Sequence, residues 1–421
     1  MAYIIGNEAA ERFSYYGMRA VLVLYMTHSL VDAGGKPDSM DPHEASAWYH
    51  GFVMATYFTP VVGAFLADVF LGKYRTILIL SGVYCLGHAA LAADETRTGL
   101  LLGQALIALG SGGIKPCVSA HLGDQFGPLN QSLMGPLYSW FYVAINVGAG
   151  VSMLVTPWLM ETHGPRLAFG VPGLLMLIAT GVFFMGRTAY THVPAQGKSV
   201  LKPLKTLFQN GQIKPLGLLY LTVALFWSLF DQTGSTWVLQ AQSLDAHFLG
   251  VDLLPAQIQA ANPFLILLLT PLFQYGIYPR LGEKFRREGP GRMAAGMMLA
   301  AMAYLLMAGI QEAIDSDAYP SIGWQLLAYL LLTASEVMVS ITCLALTYRI
   351  APPGLKSILM AFYLLSVSAG NALTALIQMA IAQGLDGHLL EGARYFLGYG
   401  TLVLLAAGLL MRLEHRLKIP D

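Results

Sequence analysis

The sequence predicts an all-α, polytopic membrane protein with twelve spanning helices, and three observations carry that reading. Charged residues make up 11% of the 421, hydrophobic types 56%, and the mean hydropathy is +0.57. A soluble domain carries about 25% charged residues, so this chain lacks the polar surface a soluble protein needs. Mostly apolar runs recur twelve times, each near the ~20 residues that cross a bilayer as a helix. The runs are continuous, whereas a membrane β-barrel needs alternating segments of about ten residues.

The runs lie near 6–30, 48–70, 76–93, 99–120, 132–159, 167–186, 216–239, 256–279, 293–311, 322–348, 357–384 and 393–413. The first contains Glu8, Glu11 and Arg12, shows no small-residue cleavage site, and reads as an uncleaved helix. The longest hydrophilic stretch, Arg187 to Pro215, separates six runs from six. This predicts an N-terminal six-helix bundle at 1–186, a cytoplasmic linker at 187–215 and a C-terminal six-helix bundle at 216–421. Two such bundles with a substrate site between them are an arrangement that secondary transporters use.

Orientation follows from the loop bases. With the N-terminus in the cytoplasm, the inward loops and tail hold Lys73, Arg75, Arg187, Lys198, Lys202, Lys205, Lys214, Arg280, Lys284, Arg286, Arg287, Arg292, Arg349, Lys356, Arg412, Arg416 and Lys418. The outward loops hold only Lys36, Arg97, Arg166 and Arg394. Lys+Arg equals Asp+Glu at 24 each, so there is no basic excess for a nucleic-acid partner. Cys85, Cys117 and Cys343 stand alone in apolar stretches, with neither metal-ligand nor disulfide spacing.

Eight ionisable residues remain inside the runs: Glu8, Glu11, Arg12, Arg19, Asp68, Lys115, Asp231 and Glu336. Each costs at least ~2.5 kcal/mol at a helix centre, so as a set they mark a bundle interior or a water-filled path. At 100° per residue, Glu8, Glu11, Arg12, Tyr15, Tyr16 and Arg19 share an arc of about 140°. The stripe is either a self-paired polar face that orients the helix or a proton and anion site. Burial favours the neutral carboxyl and a neighbouring guanidinium favours the anion, and a group balanced between them can load and release a proton.

In the second run, His50 and Tyr57 share a face. His50 is either the natural titrating group near neutral pH or a solvated interfacial residue. Asp68, Lys73 and Arg75 surround the turn after this run, read as a gating and packing element. Gly110-Ser-Gly-Gly-Ile-Lys115-Pro116 predicts a weakened helix lining a cavity. There Lys115 meets a substrate carboxylate or a partner acid, or else snorkels to the interface. Tyr142 and Asn146 are one turn apart, and the asparagine serves the site or bonds a neighbouring helix. Trp227, Phe230 and Asp231 share a face; Asn262-Pro263 predicts a kink; Glu336 and Ser340 face together. The bases Arg12, Arg19 and Lys115 fall in the first half, and the acids Asp231 and Glu336 in the second, with no buried base beside them. A cavity between the halves is therefore expected to be bipolar, which suits a zwitterion.

Glu8-Ala-Ala-Glu11-Arg12-Phe13 resembles the E-x-x-E-R-F motif of the proton-coupled oligopeptide transporter family, within the major facilitator superfamily. Gly63 to Thr76 looks like that family's first signature, and Phe141-Tyr142-Val-Ala-Ile-Asn146-Val-Gly148 is similar to its F-Y-x-x-I-N-x-G signature. Phe226 to Trp237 resembles its seventh-helix motif. The resemblance implies proton-driven symport of di- and tripeptides, with the proton as coupling ion and no cofactor or metal. It implies that Arg19, Lys115 and Asn146 hold the peptide carboxylate, and Asn262, Glu336 and Ser340 the amino end. It places Tyr16, Tyr57, Tyr142, Trp227, Phe230 and Tyr363 at the substrate, and Glu8, Glu11, Arg12, His50 and Glu336 in proton coupling. It makes Lys115 and Asp231 a gating salt bridge that closes the outer side.

Asp231 stands where Glu is common, and Tyr363 where Trp is expected. Two helices often inserted between the sixth and seventh in bacterial members are absent from this chain, so it has twelve helices or the sequence lacks residues there. A multi-pass protein of the plasma membrane (a bacterial inner membrane) is expected, working as a monomer in a lipid bilayer, with both termini cytoplasmic. The alternatives are a proton-coupled carrier of nitrate or another small metabolite, or a non-transporting membrane sensor. No nucleophile–base pair, metal cluster or phosphate loop points to an enzyme.

Overall fold

The computed structural model describes residues 1–128, 130–195, 197, 213–282, 285, 288–350, 356–385 and 389–413. Most of the 187–215 linker lies outside these residues, as do the loop bases Lys198, Lys202, Lys205, Lys284, Arg286, Arg287, Arg416 and Lys418.

The first six long helices are α1 (Ala2–His28), α2 (Pro42–Leu66, continued by a π-turn at Ala67–Leu71), α3 (Lys73–Ala93), α4 (Arg97–Gly123), α5 (Met134–His163) and α6 (Pro165–Met185). Then α7 (Ile213–Phe230) passes through a 3-10 turn at Asp231–Gly234 into the short α8 (Thr236–Ala241). A 3-10 turn (Pro255–Ala260) leads into α9 (Ala261–Pro271), which ends in a π-turn (Leu272–Ile277). After α10 (Pro290–Asp315), α11 (Ile322–Glu336) runs through a π-turn (Val337–Ile341) into α12 (Thr342–Ile350). The series closes with α13 (Lys356–Ala382) and α14 (Ala393–Leu413).

Among the described residues, eleven helical segments are long and apolar enough to cross a membrane. α1 has the length as well, since its 27 residues span about 40 Å, but it carries Glu8, Glu11, Arg12 and Arg19. Phe58, Leu102, Leu177 and Leu405 each keep more than half of their surface exposed, as lipid-facing side chains do. The protein is a multi-pass, all-α membrane protein.

α2 starts earlier than the apolar run suggests, at Pro42, where the missing proline N–H costs nothing. His43 and Glu44 therefore belong to the helix. Gly72, at φ 75, ends the extension of α2 in a conformation that glycine adopts without strain.

The chain forms two compact units, Met1–Asp41 with Ala55–Leu201, and Pro42–Met54 with Lys202–Asp421. In unit 1, α1 packs on α5 and α6, and α3 on α4 and α6. The expected weak point at Gly110–Pro116 is absent, because α4 runs unbroken from Arg97 to Gly123. Its glycines serve close approach instead. A Cβ on Gly63 would lie 2.5 Å from the Cα of Gly113, and Thr59 Oγ1 donates to the Ala108 carbonyl at 2.7 Å.

In unit 2, α7 packs on α13 and α14, and α10 on α11 and α14. Tyr304 donates to the Leu229 carbonyl (2.6 Å), and Gln325 Nε2 to that of the fully buried Trp237 (2.8 Å). The first half of α2 belongs to this unit: Ser368 Oγ donates to the Met54 carbonyl at 2.9 Å. Asn262-Pro263 does not kink a helix. It sits in the first turn of α9, where the preceding 3-10 turn becomes α-helix and proline is tolerated.

Candidate functional site

In unit 1 the polar stripe of α1 closes on itself. Arg12 Nε lies 2.7 Å from Glu8 Oε1 and 3.0 Å from Glu11 Oε2, and Ser111 on α4 donates to Glu11 Oε1 at 3.3 Å. All three charged residues are buried. A buried charge needs a partner, and here one guanidinium serves two carboxylates. A proton arriving on either acid would leave Arg12 fully to the other.

Arg19 is also buried on α1, and Tyr16 packs edge-on against Tyr15 with centroids 5.2 Å apart. Lys115 does not snorkel. Its ammonium is buried, makes no hydrogen bond, and lies 4.0 Å from the Tyr15 ring centre and 4.5 Å from that of Tyr57. Two ring faces attract the charge while leaving its three donors uncommitted, so an incoming carboxylate can be met without first breaking an ion pair. Asn146 Nδ2 donates to the Tyr142 carbonyl in its own helix (2.9 Å).

In unit 2, His50 is fully buried rather than solvated at an interface. Its Nδ1 donates to Asn371 Oδ1 (2.8 Å), and Asn371 Nδ2 donates to Asp231 Oδ2 (2.7 Å). His50 Nε2 meets Ser235 Oγ at 2.8 Å. The carbonyl oxygen of Asn371 can only accept, so Nδ1 carries a hydrogen in either charge state of the ring. The exchangeable proton is therefore the one at Nε2, where Ser235 donates to the neutral ring or accepts from the cation.

Farther along the unit, Asn262 Nδ2 donates to Glu336 Oε2 (2.8 Å) and to Thr333 Oγ1 (3.2 Å). Ser340 Oγ meets the Tyr363 hydroxyl at 3.1 Å. Trp227 and Phe230 form an edge-to-face pair with centroids 5.2 Å apart.

The structure corrects the expected charge division in one place. Arg292, counted among the loop bases, is buried at the start of α10, where it donates to the Phe285 carbonyl at 2.9 Å and stacks on Tyr278 at 4.0 Å. At the turn after α2, Lys73 pairs directly with Asp124, the residue that caps α4, at 2.7 Å. Arg75 is exposed and Asp68 half-buried.

Asn371 and Asp124 were not singled out from the sequence. Asn371 had a usable signal, a strong polar group in an apolar run, the same signal that marked Asn146 and Asn262. Asp124 falls just past a run and had none. Among the described residues, no group of three or more His, Cys, Asp or Glu is placed to hold a metal ion.

The POT family model (PTR2) matches residues 74–214 and 212–386. The chain belongs to the POT family. As a POT chain it is 37% identical over 366 residues to Peptide transporter family 1 of Drosophila melanogaster, a match covering 76% of this chain and 48% of that protein. It is 37% identical over 395 residues to Solute carrier family 15 member 2 of Rattus norvegicus, covering 82% and 53%. Against Solute carrier family 15 member 1 of Homo sapiens the identity is 36% over 374 residues, covering 74% and 52%. The POT chain thus spans about half the length of the curated relatives it matches. The crystal structure of an auto-inhibited POT family peptide transporter superposes with a TM-score of 0.87 at 32% identity, covering 100% of this chain and 97% of that one. That of the POT family transporter PepTSo gives 0.86 at 32%, covering 99% and 97%. The fold is the POT transporter fold of two helical bundles, a major facilitator fold.

Proposed function

We propose that this protein moves di- and tripeptides across a membrane with protons, by alternating access. The observation that carries the reading is the contrast between two buried groups. In unit 1 the Lys115 ammonium makes no hydrogen bond and rests on two ring faces. In unit 2 the Glu336 carboxylate is held by the Asn262 amide. A substrate with a carboxylate and an ammonium engages both. Nitrate would use the base and bring no cation to the acid, which would keep only the Asn262 amide. The names of the curated relatives support the peptide class.

On this reading Lys115, Arg19 and Asn146 take the peptide carboxylate, while Glu336, Asn262 and Ser340 take the amino end. Tyr16, Tyr57, Tyr142, Trp227, Phe230 and Tyr363 border the side chains. Tyr363 offers a hydroxyl where a larger indole is usual, which enlarges and wets that part of the pocket. Lys115 and Asp231 form the gating salt bridge that closes the outer side. Protons load at His50 and at the Glu8–Arg12–Glu11 cluster, and Glu336 shares in the coupling. Asp68, Lys73 and Arg75 set the cytoplasmic gate. Both termini lie in the cytoplasm and the membrane is a plasma membrane; the excess of Lys and Arg in the inward loops supports the orientation. The unit of function is a monomer, and no chemistry is performed on the peptide.

Competition in exchange assays tests the substrate class. Unlabelled di- and tripeptides are expected to displace a labelled dipeptide, and nitrate is not. Displacement by nitrate with none by peptides would overturn the reading.

A further inference from the structure

Two histidines of α2 each open a chain of hydrogen bonds that ends at the turn after α7. His50 heads one, through Asn371 to Asp231. His43, seven residues earlier in α2, heads the other. Its Nδ1 donates to Gln378 Oε1 (2.8 Å), Gln378 Nε2 donates to the Tyr395 hydroxyl (2.6 Å), and that hydroxyl donates to Gln232 Oε1 (2.7 Å). Gln232 Nε2 ends the chain on the Ser228 carbonyl (2.9 Å). The two chains are rungs between the same elements. His43 and His50 are two turns apart on α2, Gln378 and Asn371 two turns apart on α13, and Gln232 follows Asp231 in the turn. All of these residues belong to unit 2.

The direction of every bond in the His43 chain is fixed from its far end. The Ser228 carbonyl can only accept, so Gln232 turns its NH2 there and its carbonyl oxygen to Tyr395. The phenol hydrogen goes to that oxygen, which leaves the phenol oxygen to accept from the Gln378 NH2. Gln378 Oε1 then faces His43 and can only accept, so His43 Nδ1 carries a hydrogen in either charge state of the ring. A proton taken up by His43 therefore enters at Nε2 and makes Nδ1–H a charge-assisted donor. Because all the bonds run one way, strengthening the first polarises those behind it, as far as Gln232 beside Asp231.

The two histidines differ in access. His50 is fully buried, whereas His43 is half-buried and lines a cavity of about 270 Å³ shared with α8, the end of α10 and the start of α14. The ionisable groups on the elements around it are Asp41 and Glu44 where α2 begins, Glu312 and Asp315 at the end of α10, Glu391 before α14, Arg394, Tyr395 and Tyr399 in α14, and Asp231 in the turn. α8 and the last two turns of α13 carry none. Histidine is the side chain whose ordinary charge change falls near neutral pH.

We propose that His43 is a second proton-binding residue of the transport cycle, on the side of the membrane where α2 begins, and that its charge is felt at the turn after α7 through Gln378, Tyr395 and Gln232. The proposal rests on the reading of proton-driven peptide transport. His43 takes the proton from solution and draws the start of α2 onto α13 and α14. It touches no substrate and acts by positioning the residues that follow it in the chain.

The test pairs NMR of the purified full chain, with carbon-13 in the histidine rings, and dipeptide uptake into proteoliposomes, both between about pH 5 and pH 8. One titrating ring resonance is expected to vanish in His43→Gln, which can still donate to Gln378 but gains no proton. In that variant the fall of the dipeptide KM with external acidification is expected to shrink about fivefold, the low end of coupling between two sites. Tyr395→Phe cuts the chain behind the histidine, so the His43 resonance is expected to titrate still, with the KM as flat as in His43→Gln. A His43 ring that does not titrate in this range would overturn the proposal, as would an unchanged pH dependence of KM in either variant. If His43→Gln does not fold, His43→Asn serves in its place with the same expected outcomes. In a protein that moves no peptide, a His43 midpoint displaced by Tyr395→Phe would keep the linked proton site and remove only the transport reading, and an identical midpoint would remove the link as well.

Discussion

His50 and Asp231 are joined through one amide: Asn371 accepts from the imidazole at 2.8 Å and donates to the carboxylate at 2.7 Å. The three residues come from α2, from α13 and from the turn after α7, and all are buried within unit 2. An amide in this position keeps the polarity of the link fixed, so a charge gained by His50 is felt at Asp231 without a proton passing between them. Replacing Asn371 with Leu strands a buried donor and a buried acceptor at once. The expected loss is about 1–3 kcal/mol, read as a lower unfolding temperature, together with a flattened dependence of uptake on external pH. An unchanged pH profile in a stable variant would show that the link does not serve coupling.

Glu11→Gln keeps the shape of the unit 1 cluster and removes one ionisable carboxyl. Arg12 then has only Glu8 to neutralise it. Exchange of labelled for unlabelled dipeptide is expected to continue, since it needs no net proton movement, while accumulation driven by a proton gradient is lost. Comparing counterflow with gradient-driven uptake in the same vesicles separates the two, and intact accumulation would remove Glu11 from coupling.

Glu336→Gln leaves the bond to Asn262 possible but takes away the negative charge. The KM for ordinary dipeptides is expected to rise about tenfold or more, the cost of one charge-assisted hydrogen bond. Peptides acetylated at the amino end bring no ammonium and are expected to change little. Equal losses for both kinds would mean that Glu336 does not read the amino end.

Gly63 and Gly113 test the packing of α2 on α4. A Cβ at Gly63 would stand 2.5 Å from the Gly113 Cα, whereas one at Gly82 in α3 meets nothing within 4 Å. Gly63→Val is therefore expected to cost about 1–3 kcal/mol or prevent folding. Gly82→Ala is expected to be neutral or to stabilise by up to about 1 kcal/mol, because alanine favours helix. Thermal unfolding of the two variants beside the unsubstituted protein checks both.

Much of this was legible in the sequence because lipid allows few solutions. In a bilayer the backbone is satisfied only in helices or closed barrels, and continuous apolar runs of about 20 residues fit helices, so helix number and approximate bounds follow from the hydropathy pattern. The α1 stripe was legible because Glu8, Arg12 and Glu11 interact within one helix, where spacing fixes geometry. Links between helices were not. Nothing local says that His50 meets Asn371, more than 300 residues away, or that Lys73 is held by Asp124. The glycines of α4 were misread for the same reason, since a glycine that weakens a helix and one that admits a neighbour look alike until the neighbour is seen. Proline at 263 signalled a break correctly but not its kind, because a helix start and a kink leave the same trace.

Proton coupling of peptide transport is tested most directly by dipeptide uptake into proteoliposomes containing the purified chain, with and without an inward proton gradient. The expected result is a saturable flux that accumulates dipeptide above its external concentration only when the gradient is present, and that an uncoupler collapses to equilibration. A saturable dipeptide flux indifferent to the gradient would contradict the coupling, and no dipeptide flux under either condition would contradict peptide transport itself.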